Sequence, residues 1–318
     1  MSAFVELFCG LGGVSESVRQ FNCVHSDERA LNVIRAVDIN RDCAAVHEHN
    51  FGLAVDCRSL ESMNLHEITA THPHQTWWLS PPCQPYCRRG RGQPQRDRRC
   101  DAIQAITRFL ARSDTLPSVV ILENVPEFAS SQDAADLRKA LGQREYATWS
   151  GDLCPTQFGV PNLRRRHYLI ARRDAGEVAS PRIAAPTRQW NFPIASILDE
   201  DAQTAPELWV DRAIVDSYRT SMDIVDPDDV SARAACFGSG YGKSIIRSGS
   251  YLRRGDRVRR FSPTEVARLL GFSPQFRFPD RIGVRRRWKM LGNSVSVFVV
   301  RAVLESASPA VARSAGPR

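Results

Sequence analysis

Over the first half of the chain, short apolar runs alternate with segments of helical period. Phe4–Phe8 reads as a buried strand and is followed by glycines, after which Val14, Val18 and Phe21 recur at helical spacing. Val33–Val37 is a second strand, ended by Asp38, and a helix is expected from about Asp42 to Asn50. Thr76–Leu79 and Val119–Leu122 are two further runs, each followed at once by a polar, proline-containing turn. Residues 101–112 and 132–141 read as helices, and Tyr168–Ala171 as another strand. Strands alternating with helices predict an α/β fold, a Rossmann-like doubly wound parallel sheet covered on both faces. Ligands of such sheets bind at the carboxyl ends of the strands.

The alternation stops near residue 174, where prolines become frequent (Pro181, Pro186, Pro193, Pro206, Pro227). This divides the chain into a first domain over 1–173, a smaller irregular domain over 174–284, a C-terminal helical segment over 285–305 and a tail over 306–318. Thr264–Leu270 reads as a helix, and the last helix, Val295–Leu304, is apolar enough to pack back on the first domain. The Ala/Ser/Pro-rich tail from Ser306 is expected to be disordered. There is no internal repeat. No apolar run of transmembrane length is apparent, and no basic region precedes Phe4–Phe8, so neither a membrane span nor a secretory signal is expected.

Composition adds two constraints. The nine cysteines include no CxxC pair, which suggests neither a zinc site nor a disulfide framework and points to a reducing, cytoplasmic setting, also nuclear in a eukaryote. No metal is expected. The net charge is +8, and it is clustered: at Arg88, Arg89, Arg91, Arg96, Arg98 and Arg99, at Arg253, Arg254, Arg257, Arg259 and Arg260, and at Arg281, Arg285, Arg286, Arg287 and Lys289. Only three of the cations are lysines, as a GC-rich genome would write them, but codon bias does not explain clustering. Contact with nucleic acid is the expectation.

Four places carry candidate chemistry. Phe8-Cys9-Gly10-Leu11-Gly12-Gly13 follows a strand and opens a helix, where glycines admit a ligand and the helix N-terminus favours an anion. The spacing is not G-x-G-x-x-G, which counts against a dinucleotide. Asp38, at a strand end, suits ribose hydroxyls or is a plain surface acid; Asp56 is a weaker candidate near an adenine. In Ser80-Pro81-Pro82-Cys83-Gln84-Pro85-Tyr86 two prolines stiffen a turn that presents Cys83, either a nucleophile activated by nearby arginines or an ordinary half-buried thiol. Glu123, in Glu123-Asn124-Val125-Pro126, is a proton donor raised by desolvation or a helix cap. Arg164 and Arg166 lie two apart on an extended segment and so share a side, fit for a carbonyl oxygen gaining charge or for a solvated edge.

In order, Phe8–Gly13, Pro81-Pro82-Cys83-Gln84, Glu123-Asn124-Val125, Arg164-x-Arg166 and Gly292-Asn293-Ser294-Val295 resemble the motifs of the 5-cytosine methyltransferases across nearly the whole chain. Within that family, Cys236-Phe237-Gly238 and the segment Arg260–Phe272 resemble the DNA-methyltransferase-2 type, whose members methylate a cytosine in a tRNA anticodon loop, typically that of aspartate tRNA. The chain departs from that pattern at Gly238, where a threonine is usual, and at Cys87.

The resemblance implies S-adenosylmethionine as methyl donor, lying along Phe8, Gly10, Leu11, Gly12 and Gly13, with Asp38 and Ile39 at its ribose, Asp56 and Cys57 near its adenine, and Pro81, Asn293, Ser294 and Val295 around it. It implies that Cys83 adds to carbon 6 of the base, that Glu123 serves ring nitrogen 3, and that Arg166, helped by Arg164, holds the carbonyl oxygen. Asn124 and Asn293 would hold loops. Arg88, Arg89, Cys236, Phe237, Lys243, Arg253 and Arg254 would meet the tRNA, with the arginine-rich stretch after Cys83 as a lid. The base must leave its stack, which costs less in a loop than in a duplex. Two alternatives share these residues: a DNA cytosine methyltransferase, and a silent nucleic-acid-binding protein of the same fold. The Cys236-Phe237 segment and the short second domain favour RNA. Nothing calls for a membrane or a protein partner.

Overall fold

The computed structural model describes residues 1–318 except 26–28, 71, 73, 87–96, 174–175, 184–189 and 309–318; of Ala70 and Gln203 it describes only the backbone. Seven strands form the main sheet: β1 (Ser2–Leu7), β2 (Leu31–Val37), β3 (Val55–Asp56), β4 (Gln75–Leu79), β5 (Val119–Asn124), β6 (Ala147–Leu153) and β7 (Arg166–Arg172), in the order β3-β2-β1-β4-β5-β7-β6. β1 to β5 are parallel, and the strand order reverses between β1 and β4. That switch point is where an open sheet leaves a crevice.

The sheet is not wholly parallel, contrary to the expectation from sequence. β7 runs antiparallel to both β5 and β6. β7 therefore begins where β5 ends: Tyr168 pairs with Glu123 and His167 with Asn124. The residues just before β7 are thereby brought to the carboxyl edge of the parallel strands. Strand direction comes from pairing partners and leaves no trace in local hydrophobic period.

The near-continuous apolar runs reflect burial on both faces. Val5, Leu7, Trp77, Leu79, Val120 and Leu122 pack against α4 (Asp101–Arg112) and α5 (Gln132–Gln143), with α3 (Leu65–Ala70) beside them. Their neighbours in alternation, Phe4, Trp78 and Ile121, face α1 (Gly13–Asn22) and α10 (Val297–Ala307). α2 (Arg41–Phe51) follows β2 and is capped by Asn40, whose side chain accepts from the amides of Asp42 and Cys43.

After β7 the chain carries two short helices, α6 (Asp201–Thr204) and α7 (Arg212–Tyr218), and a second sheet of order β10-β9-β8 from β8 (Asp223–Val225), β9 (Ser250–Arg254) and β10 (Arg257–Arg260). Its aromatic core, Phe237, Tyr241, Tyr251 and Phe261, joins Trp288 and reaches Leu11, Cys43 and Val46 beside the first sheet. Arg259, expected at a phosphate, is fully buried. It makes a two-pronged ion pair with Glu265 of α8 (Pro263–Leu270), at 2.8 and 2.6 Å. Arg259 is buried next to Val258, so burial along β10 does not follow simple alternation.

The C-terminal segment is two helices, α9 (Val284–Asn293) and α10, broken at residues 294–296. α10 runs to Ala307, past both Leu304 and the expected start of the tail at Ser306; residues 309–318 lie outside the described residues. By length and composition Val284–Ala307 would suffice to cross a membrane, which the sequence reading passed over, but 67% of its apolar window is packed inside the protein.

Candidate active site

A cavity of about 540 Å³ opens at the carboxyl edge of the parallel strands, over the switch point. This lies within the usual range for a small-molecule site. Its walls come from the loop after β1, from Asp38 and Ile39 after β2, from the cysteine loop after β4, from the end of β5, from the segment before β7, and from Asn293, Ser294 and Val295.

The loop after β1 is strained. Phe8 has φ 63°, a left-handed conformation that costs a bulky residue about 1–3 kcal/mol. The turn it makes is held by Asp38, whose Oδ2 accepts the Gly10 amide and Oδ1 the Asn40 amide, both at 2.8 Å. Burial raises the Asp38 carboxyl, and these two amides pull it back. The glycines divide in purpose. At Gly13 a Cβ would strike Ser294 and Val295, and at Gly12 it would strike Phe51 and His47. Those two admit neighbouring protein. Gly10 alone faces open space on the cavity side.

Beneath the loop lies an acid the sequence reading missed. Glu6 is buried and lines the cavity; Oε2 accepts the Ser15 hydroxyl at 2.5 Å, while Oε1 has no partner. His47 Nε2 lies 2.9 Å from the same Ser15 oxygen. A carboxylate inside the apolar run Phe4–Phe8 was the available signal, because buried acids are rare without a partner.

Cys83 is half-buried and lines the cavity. Its loop is fixed at both ends. Asn124 Nδ2 donates to the Pro81 carbonyl at 3.2 Å, and the Tyr86 amide donates back to the Cys83 carbonyl at 3.0 Å. Asn124 thus holds this loop, as expected. Glu123 stands beside it on β5. Burial raises its carboxyl, opposed by Arg166, Arg164 and a hydrogen bond from Ser80. The Ser80 oxygen also accepts the Trp78 indole N–H at 2.7 Å.

Arg164 and Arg166 both reach the cavity wall, through the reversed direction of β7. Their surroundings differ. Arg166 Nε lies 3.4 Å from Glu123 Oε1. Burial opposes the Arg166 charge, but Cys236, Glu123 and Cys83 outweigh it. Arg164 is committed elsewhere: it donates to the carbonyls of Phe237 and Gly292, both at 3.1 Å, and to that of Ser294. It ties the segments at Phe237 and at Gly292–Ser294 to its own, so both its terminal nitrogens are already engaged. Cys236 sits against both guanidiniums, 3.6 Å from Arg164 and 3.8 Å from Arg166. Burial pushes its thiol up, yet the two arginines bring the net shift down.

Other expected residues lie elsewhere. Asp56 and Cys57 are not in the cavity wall; the Asp56 carboxylate is turned onto Arg35 and Arg58, at 2.8 and 2.7 Å, which hold it well below the usual carboxylate range. Their neighbours Arg58 and Ser59 line the cavity instead. Phe237 is a core residue, edge-on to Tyr241 and Phe261 at 4.9 and 5.2 Å between centroids. Lys243 and Arg253 are exposed and Arg254 half-exposed, outside the cavity. Arg88, Arg89 and the expected lid lie outside the described residues. Among the described residues no three His, Cys, Asp or Glu side chains are grouped as metal ligands.

The arrangement is chemically coherent: a thiol on a stiff loop, a raised carboxyl and a guanidinium share one cavity with a strained loop that leaves an unsatisfied acid. The chain as a whole resembles known proteins in sequence and fold. The chain is 27% identical to the tRNA (cytosine(38)-C(5))-methyltransferase of Schizosaccharomyces pombe, over 93% of each chain. It is 25% identical to the protein of that name from Rattus norvegicus, over 94% of this chain and 97% of the relative. The crystal structure of the S. pombe Dnmt2 methyltransferase superposes with a TM-score of 0.83 at 26% identity, covering 96% of this chain and 98% of the other. Residues 2–308 match the C-5 cytosine-specific DNA methylase family, and the chain belongs to that family.

Proposed function

We propose that this chain transfers a methyl group from S-adenosylmethionine to carbon 5 of a cytosine in tRNA, at position 38 of the anticodon loop as in the named relatives, with aspartate tRNA as the expected substrate. The observation that carries the reading is the convergence of Cys83, Glu123 and Arg166 on the cavity that Gly10 and Asp38 also line.

The residues fit the donor. The partnerless Oε1 of Glu6 calls for a cationic hydrogen-bond donor, which an amino-acid ammonium supplies. Asp38 retains lone pairs for ribose hydroxyls beside the two amides it accepts. Phe8, Leu11, Pro81 and Val295 give the cavity its apolar surface. When bound, the donor supplies an electrophilic methyl group to carbon 5.

The chain's own residues do the rest. The Cys83 thiol gives up its proton to water as its sulfur bonds to carbon 6, and the electron pair of the 5,6 double bond moves toward carbon 5 and the ring. Glu123, raised by burial, holds a proton at ring nitrogen 3. Arg166 neutralises charge at the carbonyl oxygen of carbon 2. After methylation the carbon-5 proton passes to water, the double bond re-forms and the Cys83–carbon 6 bond breaks. Glu123 keeps Arg166 beside it throughout, so its carboxylate form is paired when the proton has left.

RNA is preferred over DNA on the relatives' names and on the Cys236-Phe237 segment, which contacts Arg164 from outside the cavity lining. Exposed Lys243 and Arg253, with Arg254, lie on the second sheet and its approach, where phosphates would meet them. The test is transfer of label from S-adenosylmethionine to unmodified tRNA transcripts and, separately, to duplex DNA. Label in tRNA alone is expected; label in DNA alone overturns the RNA substrate, and label in neither, with donor bound, favours a silent binding protein.

A further inference from the structure

The cysteine loop is fastened a second time, at Tyr86. The Tyr86 hydroxyl donates to Asp133 Oδ2 at 2.6 Å and lies 3.4 Å from the Cys100 sulfur. Asp133 Oδ1 in turn accepts the Gln104 side-chain amide at 3.0 Å. Tyr86, Cys100 and Asp133 are all buried. Four segments meet here: the cysteine loop, the turn at Arg98–Cys100, α4 and the first turn of α5. The carboxylate is well placed in that first turn, where the helix dipole favours negative charge.

Tyr86 is rigid by other contacts as well. Its ring stands edge-on to Phe128 at 5.0 Å, and its amide closes the turn on the Cys83 carbonyl. Cys83 and Tyr86 therefore move as one short unit. The hydroxyl is a polar point by which that unit grips the helical layer, and a buried hydroxyl without its partner is costly. Arg99, from the returning segment, donates to Gln84 between them. None of these groups lines up with the base or the donor in the roles given above.

We propose that Asp133 is a positioning residue for the reaction: through Tyr86 it sets where Cys83 stands over the cavity. This rests on Cys83 being the nucleophile. Small misplacement of a reacting atom slows chemistry far more than it weakens binding, by up to about a hundredfold per ångström. The anchor should then act on turnover and leave donor affinity alone.

The experiment compares Tyr86→Phe, Asp133→Leu, the two combined, and Asp133→Asn in the full chain. Turnover and KM for S-adenosylmethionine are measured with tRNA transcripts, and the rate of Cys83 alkylation by iodoacetamide is followed by mass spectrometry without substrate. Each of the first two variants is expected to lose about tenfold or more in kcat with KM little changed. The double variant should lose no more than the worse single one, because the two groups act as a unit. Asp133→Asn keeps an acceptor for the hydroxyl and should rescue both kcat and the alkylation rate. Multiplying losses in the double variant, or wild-type kcat and alkylation in Tyr86→Phe, overturns the proposal. If tRNA proves to be the wrong substrate, wild-type transfer fails while the alkylation arm still reports on the anchor.

Discussion

Arg166 Nε lies 3.4 Å from Glu123 Oε1, across the antiparallel pairing of β5 with β7. The pair explains how a buried carboxyl can be raised and still be tolerated in both protonation states. Burial pushes it up, and Arg166 limits how far.

A pH signature follows. A raised Glu123 stays protonated above the ordinary carboxylate range, so transfer that uses its proton should decline as pH rises through the folded value. Glu123→Gln should remove that limb from the pH profile and slow kcat by about 100-fold or more. Stability has the same sign: the neutral form suits the folded site, so its advantage is complete at low pH and fades as pH rises through the folded value. Wild-type rate or an unchanged profile in the glutamine variant would remove Glu123 from the proton path.

Cys83→Ala should abolish transfer and leave donor binding nearly unchanged, since the change removes one sulfur from a cavity lined by many other residues. Isothermal calorimetry with S-adenosylhomocysteine separates the two effects. Residual transfer would assign the nucleophile elsewhere.

The Arg259–Glu265 pair is a stability element. Arg259→Met leaves a fully buried carboxylate unpaired, which costs about 3–5 kcal/mol. Arg259→Met with Glu265→Leu should cost less than the single change, although Glu265 also accepts the Ser262 amide at 2.7 Å. Urea denaturation of the three proteins decides it. Loss of tRNA affinity without loss of stability would return Arg259 to the surface.

Exposed Arg253 and half-exposed Arg254 should act on tRNA through phosphates. Replacing both with alanine should weaken binding and reduce the slope of log K against log salt by about 0.7 per lost contact. An unchanged slope would place the tRNA on another face.

Some of this was legible in the sequence for clear reasons. β4 and β5 are buried on both faces and β1 nearly so, and such strands announce themselves as continuous apolar runs. β6 does not: Ala147–Leu153 is half-exposed along most of its length and has no clean period. The direction of β7 was unreadable, because it depends on partners and not on local pattern. Among site residues, the shared side of Arg164 and Arg166 was correct from alternation alone. That Arg164 is already taken by Phe237 and Gly292 could not be seen, since those partners lie 73 and 128 residues away. Asp56 misled for the converse reason: an acid at a strand end looked free, but Arg35 and Arg58 claim it.

Arg164 has one more implication, for the growing chain. It waits for carbonyls at Gly292 and Ser294, and Ser294 and Val295 are themselves part of the cavity wall. A nascent polypeptide that has exposed Cys83, Glu123 and Arg166 still lacks the wall that closes around the donor. Catalytic competence should arrive late in synthesis, once α9 has emerged and been hooked onto a guanidinium made long before it.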